Sequence, residues 1–486
     1  MRSRIKWIVF FLICTTYVRA SNLDVLPLQS SDTAVGKVVD TLELKAVATL
    51  ENKRSDTFAS SPKTLRKFKK GWVLGAVPSI SYDTDMGFQF GAIGSLYYYG
   101  DGTLYPQYMH SIYVEVSGSV KGSGIFRLNY DSKYLIPDTR LTIDATYMPD
   151  NMYDFFGFNG FEAVYNKNWT DQSKTDYLTR AFYKVNRSIF RFAVDVERKV
   201  YRELNWNLGI GILNYTLANV NIAKINKNKA EAKKLPDTNT LYDYYKMWNI
   251  LDPAEAKGGL HPYLRGGFTY DTRDRLINPQ KGIWGDAFVT YYAAFGNQSK
   301  YQHLNLNLGF RHYVTLLKNR IVFAYRVIYQ QTIAGNSPYY LKNYNSSLFI
   351  QRAINDALGG STNLRGVMRN RVVGDGFAYA NIEFRFRVWN FTLFKQYFYL
   401  GFNPFFDIGY IIAPVKYDKE SVTAEIGKMA LNPNDFFGAK DSFHATAGIG
   451  LKAGWNENFV LSIELAKAFR KQDGNLGFYI VAGYLF

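Results

Sequence analysis

One arginine in this chain is placed where it would need a charged partner. Arg365 is followed by Gly366 and lies between two further glycine-containing segments, 359–360 and 374–376. Glycine accepts backbone conformations that other residues avoid, so this segment can fold back on itself. A guanidinium that leaves bulk water needs a carboxylate to accept its parallel N–H groups. These residues therefore predict an ion pair that is enclosed by the protein.

Two acidic residues are candidates for that carboxylate. Asp407 alternates with apolar residues together with Phe405 and Gly409, and Glu383 does so in the preceding apolar and charged run. Successive side chains of a strand point to opposite faces, so both acids face away from the apolar side. The segment carrying Arg365 leads directly into the strand of Glu383. We predict an ion pair with Asp407 first and Glu383 second; the alternative is an exposed arginine and an ordinary pore-lining acid.

No catalytic or metal-binding pattern accompanies this arginine. The sequence has no Gly-x-Ser-x-Gly elbow and no Walker loop. Paired acids can act in acid–base catalysis, but they more often balance positive charge. We therefore expect no enzyme activity, no metal and no cofactor. The five histidines are scattered without metal-ligand spacing: His110, His261, His303, His312 and His444.

Alternation of apolar and polar residues continues through most of the chain after residue 71. It is clear at 190–197, at 382–388 and at 477–486, where the chain ends on an aromatic residue. A transmembrane barrel turns its apolar face to lipid and keeps a polar lumen. The 38 tyrosines and 36 phenylalanines fit interfacial aromatic girdles. We predict an all-β antiparallel transmembrane barrel, with a soluble all-β protein as the alternative.

Sixteen segments carry this alternation, and the even number places both ends of the barrel on one side. Long insertions at 150–177, 218–258, 334–375 and 412–441 then fall on the other side, as in outer-membrane barrels. Such a barrel is too wide for its own side chains to fill, so we predict an inward-folded loop between strands 11 and 12. The insertion 224–234 is interpreted as a solvated face, with a short surface helix as the alternative. The predicted strands are 73–82, 87–98, 110–119, 123–135, 139–149, 178–199, 205–217, 259–272, 283–294, 301–314, 320–333, 376–390, 397–411, 442–453, 458–469 and 475–486.

The chain begins with features of an exported protein. Residues 1–20 combine a basic start with an apolar run and are predicted to be a cleaved signal peptide. They contain Cys14, the only cysteine. Residues 21–70 are predicted to be a short polar periplasmic segment, and 71–486 the barrel. The formal charge of +17 falls to +13 without the four basic residues of the signal. This charge favours anionic lipid or periplasmic anions over nucleic acid as partner.

Four motifs, taken together, resemble the BamA/TamA family, also called the bacterial surface antigen family. Leu364-Arg365-Gly366-Val367 matches the family's (Val/Ile)-Arg-Gly-(Phe/Tyr) loop tip, with departures at both ends. Phe405, Asp407 and Gly409 match its Phe-x-Asp-x-Gly strand. The segments 270–282 and 447–451 match its turn after strand 8 and a later strand. The resemblance implies an inward-folded loop latched by Arg365, Gly366, Asp407, Glu383, Phe405 and Gly409.

The resemblance also implies a function and a seam between the first and last strands. Family members that assemble or secrete proteins carry periplasmic POTRA domains, and residues 21–70 are too few for one, so we expect a short form. We expect an integral protein of the bacterial outer membrane that inserts or translocates proteins with partner proteins, in contact with lipids that include anionic lipopolysaccharide. The alternative is a pore or lipid-handling transport barrel without assembly activity. Gly75 and Pro78 in the first strand and Gly477 and Gly483 in the last predict a weak seam, which also includes the terminal Phe486. The alternative is that the glycines relieve crowding in a tightly curved barrel.

Overall fold

The computed structural model describes residues 69–105, 107–276, 278–342, 344, 357–394, 396–455 and 459–486. The predicted signal peptide and nearly all of the predicted segment 21–70 lie outside the described residues. None of the helices in these ranges is long and apolar enough to cross a membrane.

Sixteen strands and four short α-helices are present in the described part of the chain. The strands are β1 (Trp72–Asp83), β2 (Gly87–Tyr98), β3 (His110–Ser119), β4 (Gly124–Ile136), β5 (Thr139–Asp154), β6 (Lys184–Tyr201), β7 (Leu204–Ala218), β8 (Gly258–Asp271), β9 (Gly282–Tyr292), β10 (His303–Leu317), β11 (Ile321–Gly335), β12 (Gly376–Leu393), β13 (Gln396–Ala413), β14 (His444–Trp455), β15 (Phe459–Ala468) and β16 (Leu476–Ala482). The helices are α1 (Ile222–Asn226), α2 (Leu241–Met247), α3 (Tyr339–Lys342) and α4 (Lys419–Lys428).

These strands form one closed antiparallel barrel in which each strand pairs with its neighbours in sequence and β1 pairs with β16. The predicted fold class and strand number are confirmed. In β13, for example, Phe405, Asp407 and Gly409 are buried while the residues between them are more exposed. Period-two alternation therefore sorts the side chains into an apolar outward face and a polar lumen. The predicted start of strand 6 at 178 is wrong, because residues 178–183 belong to the preceding connection.

The two ends of the barrel differ in their connections. The connections 155–183, 219–257, 336–375 and 414–443 lie at one end, called here the loop end, and the opposite end is called the turn end. Buried residues of all four long connections share one hydrophobic cluster. In it, Phe155 meets the rings of Tyr242 and Tyr245 edge to face, with centroids 5.3 and 5.2 Å apart. This aromatic cap closes the loop end.

The closure between β1 and β16 is much shorter than the other strand pairings. Its ladder consists of Tyr82 with Ile480 and Asp83 with Tyr479, whereas β1 and β2 are joined by twelve residue pairs. Among the described residues, positions 72–81 of β1 have no ladder partner in β16. The seam is therefore closed only at the loop end of β1.

The last four residues leave the barrel wall, so the predicted extension of strand 16 to Phe486 is wrong. Gly483 has a φ of +90°, a backbone conformation that glycine adopts easily. The turn brings Phe486 into the lumen, where it packs with Tyr313 and Ala324. Arg385 Nη2 donates a hydrogen bond of 2.7 Å to the main-chain oxygen of Phe486. The guanidinium carbon of Arg385 also lies 5.1 Å from the centre of the Phe486 ring.

Candidate functional site

The described residues 357–375 of the connection between β11 and β12 fold into the lumen, as predicted for the loop between strands 11 and 12. A bridge between Leu358 and Val372 closes its inner part into a compact unit. Asn363 organises the turn within that unit: its Oδ1 accepts 2.7 Å hydrogen bonds from the backbone N–H groups of Gly359 and Leu364. Gly359 has a φ of +119°, which only glycine tolerates well. The local sequence thus builds a tight tip that presents Arg365.

Arg365 meets Asp407 through a forked pair of hydrogen bonds. Arg365 Nε donates to Asp407 Oδ2 and Nη2 donates to Oδ1, each at 2.9 Å. The backbone N–H of Arg365 also donates to Oδ2 at 3.2 Å. Both side chains have no exposed surface. Bidentate geometry of this kind fixes orientation as well as position.

Two further carboxylates complete the surroundings of Arg365. Its Nη1 donates to Glu383 Oε1 at 2.8 Å and to the carboxylate of Glu464 on β15 at 3.3 Å. Glu383 also accepts from Arg385 Nε at 3.0 Å, and Glu464 pairs with Lys452 of β14. Three acids therefore face three bases in one enclosed network. The balance of charge offsets the cost of burying each member.

Aromatic and glycine residues shape the space around this network. The Phe405 ring lies under the guanidinium, with Arg365 Cζ 3.4 Å from the ring centre. A Cβ at Gly448 would lie 2.4 Å from that ring, so β14 must be small there. A Cβ at Gly409 would lie 2.7 Å from Leu364 Cδ1. The two glycines let Phe405 and Leu364 occupy the space against the wall.

Gly366 carries the loop from this network to the last two strands. Its N–H donates a 2.9 Å hydrogen bond to the hydroxyl of Tyr479 on β16. A Cβ at Gly366 would approach the backbone carbon of Ala466 on β15 to 3.0 Å. Next, the N–H of Met368 donates to the carbonyl of Asp473, between β15 and β16, at 2.7 Å. The tip is therefore also held by the strand on one side of the seam.

The following residues reach the other side of the seam. The N–H of Arg369 donates to Asp85 Oδ2, in the turn between β1 and β2, at 3.1 Å, and its guanidinium pairs with Asp150 of β5. Arg371 donates to the carbonyl oxygens of Gly160 and Ala163 at 2.9 and 2.8 Å. Residues 366–371 thus bridge the seam from within the barrel.

Thr84 extends the short seam at its loop end. Its hydroxyl accepts from the N–H of Phe478 at 2.8 Å and donates to the carbonyl of the same residue at 3.1 Å. The neighbouring Asp85 is affected by its surroundings: burial, with Asp83 and Asp154 nearby, raises the pKa of Asp85 to about 7. Outside the barrel, an apolar cleft of about 340 Å³ follows the seam. Its walls include Ile80 and Phe478.

The predicted seam residues lie near the seam but outside its ladder. Gly75 pairs with Ser95 and Pro78 with Ala92, both between β1 and β2. Gly477 pairs with Ala466 of β15. Gly483 and Phe486 follow the end of β16. The placement of Phe486 at the seam is wrong, since the turn at Gly483 carries it into the lumen.

The sequence reasoning missed several residues of the site. Glu464 follows from the alternation rule, because Ile463 and Leu465 flank it on the outward face of β15. The partners of Arg369 and Arg371 had no comparable signal, because they depend on which connections meet in the cap. In the described ranges, no group of three His, Cys, Asp or Glu side chains could hold a metal ion.

The barrel and its inward loop agree with a known family. Residues 112–486 match the Omp85 superfamily domain. The chain therefore belongs to the Omp85 superfamily. This confirms the family resemblance predicted from the motifs. No curated protein sequence matches the chain significantly.

Solved structures provide a second comparison. BamA from Haemophilus ducreyi lacking POTRA domains 1-3 aligns with a TM-score of 0.50 and 15% identity, covering 85% of this chain and 70% of that one. CdiB from Escherichia coli aligns with a TM-score of 0.49 and 11% identity, over 85% of this chain and 63% of that one. CdiB from Acinetobacter baumannii aligns with a TM-score of 0.42 and 13% identity, covering 85% of this chain and 60% of that one. The likeness to BamA is one of fold.

Proposed function

We propose that this chain is an integral barrel of the bacterial outer membrane that takes part in inserting or translocating proteins, together with partner proteins. The observation that carries the proposal is the two-pair ladder between β1 and β16. By contrast, twelve residue pairs join β1 to β2, and seven join β16 to β15. The proposal assigns no catalytic reaction to the chain.

In this proposal the loop end faces the cell exterior and the turn end faces the periplasm. Short periplasmic turns and long outer loops are the usual arrangement in such barrels. The exposed apolar residues of the strands would then contact lipid, including anionic lipopolysaccharide in the outer leaflet. Client proteins would arrive at the turn end, where β1 has no ladder partner in β16.

Residues 72–81 of β1, which have no ladder partner in β16, would pair with a client segment that is still extended. A strand edge offers N–H and C=O groups that another strand can pair with. Widening the seam means separating the pairs Tyr82 with Ile480 and Asp83 with Tyr479, together with the contacts of Thr84. At a net value of about 1 kcal/mol for each hydrogen bond, the opening is small on the scale of folding. The adjoining twelve-pair ladder would stay closed.

The loop tip supplies the control in this mechanism. It is anchored in the wall through Arg365 and bridges the seam through Gly366 and Arg369. We propose that Arg365, Asp407 and Glu383 act as a latch, with Phe405, Gly366 and Gly409 shaping its seat. While the latch holds, the bridge would favour a closed seam.

A reversible lock across the seam tests the proposal. Tyr82 and Ile480 are direct ladder partners, and antiparallel partners lie about 4.5–5.5 Å apart, within disulfide range. The double variant Tyr82→Cys/Ile480→Cys should therefore close the seam. The matched control, Tyr82→Cys/Phe88→Cys, locks β1 to β2, where these two residues are partners. Cys14, in the predicted signal, is the only native cysteine.

Each variant would be the sole copy in cells, and the protein content of the outer membrane would be measured by mass spectrometry. We expect the seam lock to reduce the amounts of other outer-membrane proteins, and dithiothreitol to restore them. The control lock should leave them unchanged. Equal outer-membrane protein content in cells with the seam lock and the control lock would contradict the proposed function.

The second candidate is a lipid-handling or pore-forming barrel without assembly activity. The apolar cleft between Ile80 and Phe478 favours the lipid-handling form. Depletion would then change outer-membrane lipids while leaving protein content intact. Planar bilayer recordings separate the pore form, because a true pore gives large stable openings and a barrel occupied by its own loop gives small erratic ones.

A further inference from the structure

The connection between β7 and β8 carries a dense group of lysines. Residues 221–235, called here the lysine loop, contain five lysines and one acid, Glu231. Glu231 pairs with Lys234 at the surface. The lysines are Lys224, Lys227, Lys229, Lys233 and Lys234, and all five are exposed.

The lysine loop has a defined fold that holds these charges in place. Asn226 closes it in both directions: its Nδ2 donates to the carbonyl of Leu235 at 2.8 Å, and its Oδ1 accepts from the N–H of Leu235 at 2.7 Å. Ile222 is buried with Ala181 and Val220, and Ile225 and Leu235 pack against them. The loop is thus attached beside the end of β7, at the rim of the barrel.

A second connection supports the lysine loop from the side. Gln172, between β5 and β6, donates from Nε2 to the carbonyl of Ala232 at 3.4 Å. Arg180 donates to Gln172 Oε1 at 3.4 Å. Met152 of β5 also packs against the apolar cluster beneath the loop. The strand ends and both connections therefore fix the position of the loop at the rim.

Most of these lysines surround one open hollow. It has a volume of about 800 Å³ and is lined by four lysines and three asparagines, besides Ala223. The lysines are Lys224, Lys227, Lys229 and Lys234. Each ammonium group offers three hydrogen-bond donors. Donors and positive charge around this open depression suit a ligand with several anionic oxygens.

We propose that the lysine loop binds the phosphate groups of an anionic glycolipid in the outer leaflet. The inference rests on the proposed outer-membrane orientation, but it does not depend on client insertion. Lysine binds phosphate through the point charge of its ammonium group. In the proposed orientation the hollow lies at the outer end of the barrel, and its volume of about 800 Å³ exceeds that of one phosphate. The choice of a membrane glycolipid over a free anion follows from these two features.

Binding to purified lipid tests the proposal without any assembly assay. The full chain in neutral detergent micelles would be titrated with diphosphoryl lipid A, with the same lipid after removal of its phosphates, and with inorganic phosphate. The variant K224Q/K227Q/K229Q/K234Q removes the four lysines of the hollow. The matched control, K416Q/K419Q/K428Q/K440Q, removes four exposed lysines from the connection between β13 and β14, at the same end of the barrel.

We expect the first variant to bind diphosphoryl lipid A at least about tenfold more weakly than wild type, since several cations act together on an anionic lipid. The control variant should change affinity by less than about twofold, and the dephosphorylated lipid should bind weakly to all three proteins. Equal losses in both variants would overturn the proposal, because the attraction would then follow net charge. Equal affinity for inorganic phosphate and lipid A would overturn the choice of a glycolipid. Both variants are expected to fold, since the exposed lysine heads are replaced by neutral amides; heat-modifiable mobility checks this.

Discussion

The wall from β12 to β15 and the seam from β16 to β1 are built differently. In the wall, β12 and β13 share fifteen residue pairs, and the inner surface carries the network of Arg365, Asp407, Glu383 and Glu464. At the seam the ladder has two pairs, and threonine, tyrosine and backbone contacts complete it. The same loop touches both regions. The loop therefore has a strong anchor in the wall and a weak hold on the seam.

Loss of the anchor should have the largest effect. Arg365→Ala leaves Asp407, Glu383 and Glu464 buried with two bases instead of three, and removing one partner from a buried ion pair costs about 3–5 kcal/mol. We expect unfolding of the detergent-solubilised barrel at a clearly lower denaturant concentration, and cleavage of the loop by added protease. Arg180→Ala, which removes an exposed arginine, should leave both measurements near wild type.

A double-mutant cycle sharpens this prediction. If Arg365 and Asp407 act as one unit, Arg365→Ala/Asp407→Ala should destabilise less than the sum of the two single variants. Unchanged heat-modifiable mobility and unchanged protease protection in all three variants would show that the wall does not depend on this latch.

The packing of the loop tip against β13 should have the next largest effect. Gly409→Ala would place a Cβ 2.7 Å from Leu364 Cδ1, and overpacking of this kind costs about 1–3 kcal/mol. Gly94→Ala in β2 is a matched control, because a Cβ there would meet no atom within 4 Å. Denaturant unfolding of both variants measures the difference. Equal stability of the two would mean that the tip can move away from the wall without cost.

At the seam we expect a smaller effect. Thr84→Val keeps the shape of the side chain but removes both hydrogen bonds to Phe478, each worth about 0.5–1.5 kcal/mol net. Amide hydrogen exchange at residues 478–482 should become faster, while exchange in β12 and β13 stays unchanged. Thr103→Val serves as the control, since the Thr103 hydroxyl donates to the nearby Asp101 and lies in the connection between β2 and β3. Faster exchange in both regions would show that seam and wall open together.

The last prediction is a dependence of stability on pH. Burial, Asp83 and Asp154 raise the pKa of Asp85 from 3.8 to about 7, against the opposing influence of Arg369 and Lys184. The folded state therefore binds the Asp85 proton more tightly than the unfolded state does. This contribution favours the folded state at low pH, weakens as pH rises from about 4 to about 7, and is constant above that.

Thermal unfolding at pH 5.5 and pH 8 measures this contribution. We expect the difference in stability between the two pH values to be smaller in Asp85→Asn than in wild type, because the amide does not titrate. An identical pH dependence in wild type and Asp85→Asn would mean that other groups control it.

Much of the wall could be predicted from the sequence, and less of the seam. Period-two alternation identified the sixteen strands and placed Asp407 and Glu383 on the lumenal side, because side-chain direction in a strand is a local property. Glu464 was accessible to the same rule. The position of Phe486 could not be predicted by this rule, because the left-handed backbone conformation of Gly483 ends the alternation. The contact of Arg369 with Asp85 at the seam joins two connections that are far apart in sequence. No local sequence pattern predicts such a contact.

The enclosure of the Arg365 network also determines its response to ionic strength. Dissolved ions screen charges over a Debye length of about 8 Å at physiological salt, but they act only where solvent reaches. Arg365, Glu383 and Asp407 have no exposed surface. A rise in ionic strength would therefore weaken the binding of anions by exposed lysines. It would leave the attachment of the loop to the wall nearly unchanged.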